Sequence, residues 1–131
     1  NMSNKISYPI GASLLTSNLI LKKTNDFDER YFLYFEELDF VLSCLKFNLK
    51  PGIAFKSNVY HKQGSTTMNK NDGLKNNLLL KIKAAGFKKL YMKHMPKLII
   101  IARLSLFMKG ISFAVKGNIK SSKVFINESL N

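Results

Sequence analysis

The chain has one cysteine, three prolines and eight acidic residues among 131. A single thiol, Cys44, excludes an intrachain disulfide framework and makes a reducing compartment the simplest expectation. There is no Gly-rich phosphate loop, no paired Cys or His at zinc spacing and no serine-nucleophile elbow, so three common chemistries lose their motifs. The basic stretches lack the spaced aromatics of a base-stacking sheet, which leaves charge alone to speak for single-stranded nucleic-acid binding. No repeat at solenoid spacing and no low-complexity tract is found. Asn1 to Lys5 is polar and no long apolar run follows, so no secretory leader is expected here; Asn1 precedes Met2, and this start is not taken as a natural one. What is present suits a folded chain. Hydrophobic residues are 46% and mean hydropathy is −0.06, which excludes a wholly disordered chain, and the length fits one compact unit or a piece of a larger one.

Charge is the strongest signal. Lys plus Arg number 21 against 8 Asp plus Glu, a formal net charge of +13, which predicts attraction to phosphates, nucleic acid or a lipid headgroup surface. The distribution is uneven. From Asn1 to Leu45 there are 4 basic and 6 acidic residues; from Lys46 to Asn131 there are 17 and 2. Every acid except Asp72 and Glu128 lies between Asp26 and Asp39.

Pattern reading gives the following elements. Pro9 and Gly11 followed by the apolar run Ala12 to Leu15 predict a turn into a short buried strand, and Asn18 to Lys23 one or two helical turns. Four of the five residues from Tyr31 to Phe35 are aromatic and need burial or a ligand face. Leu38, Val41, Leu42 and Leu45 recur at helical spacing, predicting a helix over Glu36 to Phe47 with Glu36, Glu37 and Asp39 at its dipole-favoured start. Gly52 to Tyr60 reads as one extended strand or two short ones, ending at His61, and Gln63 to Asp72 as a loop. A helix is expected over Leu74 to Tyr91, weakened at Gly86, and a second from Lys97 to about Val115, opened by Pro96. A membrane-spanning helix needs about 20 predominantly apolar residues, and each central Arg or Lys costs about 2.5–3.5 kcal/mol. With Arg103 and Lys109 inside it, the second helix is expected to lie on a surface, not to span; the tail from Lys116 is expected to be partly frayed.

The acids and one histidine carry the chemistry. Glu36 and Asp39 share a helix face and Glu37 points to its flank. Clustered carboxylates raise one another's pKa or share a cation, and a raised carboxylate suits a general base acting on a hydroxyl. On the residues alone, the simpler reading is that these acids stabilise a solvated helix N-terminus. His61, at a strand end, can be a metal ligand or a hydrogen-bonded structural histidine. His94 reads as structural or interfacial, and Cys44 as a small buried apolar residue.

Three stretches resemble a known family: Gly11-Ala12-Ser13-Leu14-Leu15, then Asp26-Phe27-Asp28-Glu29-Arg30-Tyr31-Phe32-Leu33-Tyr34-Phe35-Glu36-Glu37-Leu38-Asp39, then Val59-Tyr60-His61-Lys62-Gln63-Gly64-Ser65, with Lys93-His94-Met95-Pro96 as a weaker fourth. Together they resemble the C-terminal half of a family 2 bacterial glycosyltransferase, rhamnosyltransferase-like. The resemblance implies an α/β fold, the C-terminal half of the GT-A nucleotide-diphospho-sugar transferase fold, with short strands and an acidic helix over residues 1–72. Residues 73–131 would be a basic C-terminal extension of two long amphipathic helices.

The function so implied is that of a fragment of an inverting enzyme moving a hexosyl or deoxyhexosyl group from a nucleotide-sugar donor to a lipid-linked or polysaccharide acceptor. Glu37 would be the base on the acceptor hydroxyl, Glu36 and Asp39 would line the acceptor side, and His61 would be a ligand to a divalent cation, Mg²⁺ or Mn²⁺, in the complete enzyme. That mechanism requires Glu37 and His61 to converge on one cleft. Two departures stand out: the usual aspartate is glutamate at Glu37, and Ser43 stands where an arginine is usual. Nothing matches the nucleotide-binding half or its metal-holding Asp-x-Asp motif, so the chain alone is expected to be inactive.

The basic back segment suits a cytoplasmic protein peripheral on the inner face of the cell membrane, each Lys or Arg near an anionic surface contributing about 1 kcal/mol. The alternative function is a small basic non-catalytic protein that binds nucleic acid or an anionic membrane surface; no specific nucleic acid is indicated.

Overall fold

The computed structural model describes residues 9–61 and 73–131; the loop expected over 63–72 lies outside them. They contain five α-helices and two 3₁₀ turns: α1 Asn18–Thr24, α2 Glu36–Lys46, α3 Gly73–His94, α4 Ile99–Val115 and α5 Ile119–Leu130, with the turns at Gly11–Ser13 and Pro96–Leu98. Among the described residues there is no strand, which corrects the α/β, GT-A expectation. The two segments read as strands show why. Gly11–Ser13 turns as 3₁₀ helix, and Leu15 beyond it is exposed. Residues 51–61 are coil broken by a turn at Phe55–Lys56, where the Ser57 N–H donates to the Ala54 carbonyl, and every side chain is exposed, Ile53, Phe55, Val59 and Tyr60 included. An extended segment becomes a strand only through a hydrogen-bonded neighbour, and apolar content cannot supply one.

The chain forms two compact units. The first comprises Asn1–Phe32 and Glu36–Gln63, the second Leu33–Phe35 and Gly64–Asn131. In the first unit, the Ser17 side chain accepts a hydrogen bond from the Ile20 amide at the start of α1. Lys22 and Lys23 occupy the last turn of that helix, and Asn25 ends it in the left-handed region at φ 64°. Helix α2 buries Asp39, Phe40, Val41, Ser43 and Cys44. Phe40 stacks on Phe27 with ring centroids 4.6 Å apart, and Tyr31 is buried as well.

The second unit is three long helices. Ala84, Leu106 and Phe125, one from each helix, form its buried centre, with Leu80, Phe87 and Phe113 packed around them. Phe113 and Phe125 stack with centroids 5.4 Å apart and planes 8° from parallel. Ala102, Leu106 and Gly110 fall at i, i+4, i+8 on the buried stripe of α4. At Gly110 the helices approach so closely that a Cβ would sit 2.7 Å from Ile126 Cγ1 and 3.2 Å from the Ser122 carbonyl oxygen. The α4–α5 corner is a Schellman motif. Gly117 takes φ 75°, its N–H donates to the Ala114 carbonyl, and the Asn118 N–H donates to that of Phe113. The Asn118 side chain then caps α5 by accepting from the Ser121 amide at 3.1 Å. The tail expected to fray is therefore a helix. Lys88 joins α3 to α5 through Glu128 at 3.1 Å, both side chains mostly buried, and the Ser121 hydroxyl bonds Asn77 Oδ1 at 3.1 Å. Leu33–Phe35 adds to this unit: Phe35 meets Phe87 at 6.2 Å, and Lys83 Nζ lies 4.3 Å from the Tyr34 ring centroid. Tyr34 and Phe35 both hold positive φ, 68° and 72°, a conformation costing on the order of 1–3 kcal/mol per residue.

Candidate functional site

The acids of α2 belong to the first unit. Three carboxylates in one helical turn face the positive end of the helix dipole, which lowers the cost of crowding them. Their surroundings then separate them.

Glu37 is held by the backbone. Its Oε1 accepts the Gly11 N–H at 2.8 Å across 26 positions of sequence. A Cβ on Gly11 would lie 2.7 Å from that same oxygen, so the contact is shaped for a residue with no side chain. This bond ties the Gly-Ala-Ser segment to the start of α2, and nothing in the sequence pattern foretold it.

Glu36 differs. Burial, followed by the nearby charge of Glu37, raises its pKa above the ordinary value, and its Oε2 is shielded from solvent with no hydrogen-bond partner. Asp39 is the most enclosed of the three, 2% exposed. The Tyr31 phenol faces it; burial first, then the Asp39 charge, hold that phenol well above its usual range.

His61 is exposed at the end of the coil, and among the described residues no hydrogen bond or ion pair joins it to Glu36, Glu37 or Asp39. No group of three His, Cys, Asp or Glu side chains able to hold a metal is found there either. The described residues do not by themselves fit a divalent-cation site. Both Asp28 oxygens accept from the Arg30 guanidinium, at 2.8 Å from Nε and 2.6 Å from Nη2. Ser43 is buried within α2, and Cys44 is buried with its thiol pKa raised by burial. His94 ends α3 and is partly buried.

The second unit bears a different feature. Pro96–Val115 is 20 residues long and contains an 18-residue window with a mean hydropathy of 1.9, long and apolar enough to cross a membrane by length and composition alone.

Comparisons with known proteins return no matching family model, no matching curated protein and no matching solved structure.

Proposed function

We propose that this chain carries the acceptor-activating segment of an inverting glycosyltransferase, one that moves a sugar from a nucleotide-sugar donor to a lipid-linked or polysaccharide acceptor. The supporting observation is the Gly11 N–H to Glu37 Oε1 hydrogen bond, which joins two of the three segments on which the family resemblance rests. A carboxylate with one oxygen fixed by an amide presents the other in a defined direction, and a base needs that to meet an acceptor hydroxyl. Glu37 would take the proton as the acceptor oxygen attacks the anomeric carbon and the nucleoside diphosphate leaves. Glu36 and Asp39 would shape the acceptor side. Any divalent cation would be held chiefly by a donor-binding segment, and no step here is assigned to it.

A second assignment of the base has its own support. Glu36 has a pKa raised by burial and an oxygen shielded from solvent with no hydrogen-bond partner, conditions that favour proton uptake by a base. Glu36→Gln and Glu37→Gln separate the two. In the longest polypeptide its reading frame encodes, the variant lacking the true base is expected to lose about 10²–10⁴-fold in transfer, with donor binding unchanged. Full transfer by both variants would remove the acids from the reaction. The 131 residues alone, given nucleotide sugars with Mg²⁺ or Mn²⁺, are expected to show no turnover.

A non-catalytic role for the basic residues, on nucleic acid or membrane, is the competing reading. Binding to DNA or RNA across a salt series distinguishes it: tight binding with a steep salt slope would favour it.

A further inference from the structure

Helix α4 has two faces of unlike fate. Ala102, Leu106 and Gly110 are buried in the helical unit, whereas Ile100, Ile101, Leu104, Met108, Ile111 and Val115 are exposed. At about 100° per residue these six fall within a sector about 100° wide, opposite the buried stripe, with no charged residue of α4 inside it. The stripe runs for about 22 Å at 1.5 Å per residue. An exposed apolar patch of this extent marks an interaction surface.

Its flank says what kind. Lys109, Ser112 and Lys116, at i, i+3 and i+7, line a shallow concavity together with Phe113 beside the apolar sector. Two lysines and a serine around a concavity next to hydrocarbon, the Lys109 Nζ resting 6.0 Å from the Phe125 ring centroid until an anion draws it out, match the two zones of an anionic lipid: a phosphate above, acyl chains beside it. The charge of the unit points the same way. Residues 73–131 carry twelve Lys and Arg against one Glu, and that Glu128 is paired with Lys88. A second copy would bring the same positive charge to the contact and be repelled, whereas an anionic bilayer attracts it.

We infer that the outward face of α4 docks in the plane of an anionic membrane, its apolar sector entering the headgroup–acyl boundary and Lys109, Ser112 and Lys116 receiving a lipid phosphate. The helix lies flat. Spanning would either strip α5 from Ala102, Leu106 and Gly110 or carry its exposed Lys120, Lys123 and Asn127 into hydrocarbon. The inference does not depend on the transferase reading, since it uses none of the α2 acids.

The chain contains no tryptophan, so a single introduced indole reports its own position. Leu104→Trp lies mid-face on α4, and Asn127→Trp lies on the exposed side of α5. With phosphatidylglycerol-containing vesicles, Leu104→Trp emission is expected to shift to the blue and resist acrylamide, while Asn127→Trp stays quenchable. Pure phosphatidylcholine should give no shift at equal lipid. Lys109→Gln with Lys116→Gln should weaken binding to the anionic vesicles roughly 30-fold, and the Arg pair at the same positions should keep it. Four results would overturn the inference: shielding of both indoles, equal binding to neutral vesicles, a concentration-dependent shift without lipid accompanied by a dimer in sedimentation, or a shift only with an acidic polypeptide.

Discussion

The acid-bearing unit and the helical unit of this chain are built by different means. In the helical unit each local signal agrees with the packing around it. A Gly–Asn corner caps two helices at once, small residues let α4 and α5 approach, and polar side chains such as Ser121 and Lys88 find partners across helices. In the acid-bearing unit the two helices have 7 and 11 residues, and residues 51–61 expose every side chain. Its best-enclosed side chain is a carboxylate, Asp39. Agreement across levels makes a stable element, and conflict between levels concentrates where chemistry is done. The unusual carboxylates lie where the scaffold is thin, and the stable scaffold carries surface charge.

The contrast is most easily broken from the helical side. Phe125→Ala removes the ring that stacks on Phe113 and is expected to cost about 3–5 kcal/mol. Urea denaturation followed by circular dichroism should show most of the helical signal lost at lower denaturant. Phe40→Ala, which removes the ring stacked on Phe27, should by contrast take away only the signal of α1 and α2. If the two variants lowered one common transition equally, the two units would not be separate in stability. Gly110→Val comes next. Its side chain would meet Ile126 and the α5 backbone, and overpacking of this kind costs about 1–3 kcal/mol; faster amide exchange confined to α4 and α5 is the readout. Smaller again is Glu128→Gln, which leaves the mostly buried Lys88 ammonium without its charged partner and is expected to cost about 1–2 kcal/mol.

The same contrast explains what could be read from sequence. Helix α2 was legible because Leu38, Val41, Leu42 and Leu45 keep the helical period and acids mark the start; the long helices α3 and α4 lie within three residues of the ranges expected over Leu74 to Tyr91 and Lys97 to about Val115. The apolar run at 12–15 and the segment from Gly52 to Tyr60 were not, because hydrophobicity without a pairing neighbour does not distinguish a strand from exposed coil. Helix α5 was missed since Ser121, Ser122 and Ser129 fill much of its buried face, and serines do not register as an apolar stripe. The turn chemistry at Gly117-Asn118 was the available signal. At the site, the acids could be picked out by their density. The Gly11–Glu37 bond and the different environments of Glu36 and Glu37 depend on contacts 26 residues apart or on burial, which spacing does not encode.

The mildest expected change sharpens the comparison at its most informative point. Burial raises the Glu36 pKa in the folded protein above its unfolded value, so between those two values the folded state holds more protons than the unfolded one. Stability then falls as pH rises through that window and stays lower above it, because the ionised carboxylate is better solvated in the unfolded chain. Glu36→Gln removes the titration. It should raise the melting temperature at neutral pH by no more than about a few degrees, change it little at about pH 4, and flatten the decline between. Since Glu36 is only partly enclosed, solvent screening keeps the effect small. Glu37→Gln tests whether the effect belongs to Glu36 alone. It removes the neighbouring charge, while the carbonyl of the substituted amide side chain can still accept from the Gly11 N–H, so it should soften the same slope without abolishing it. A pH profile unchanged by Glu36→Gln would mean that the carboxylate is fully hydrated in solution. The second assignment of the base would then lose its only physical support, leaving Glu37 as the acid to be tested in transfer.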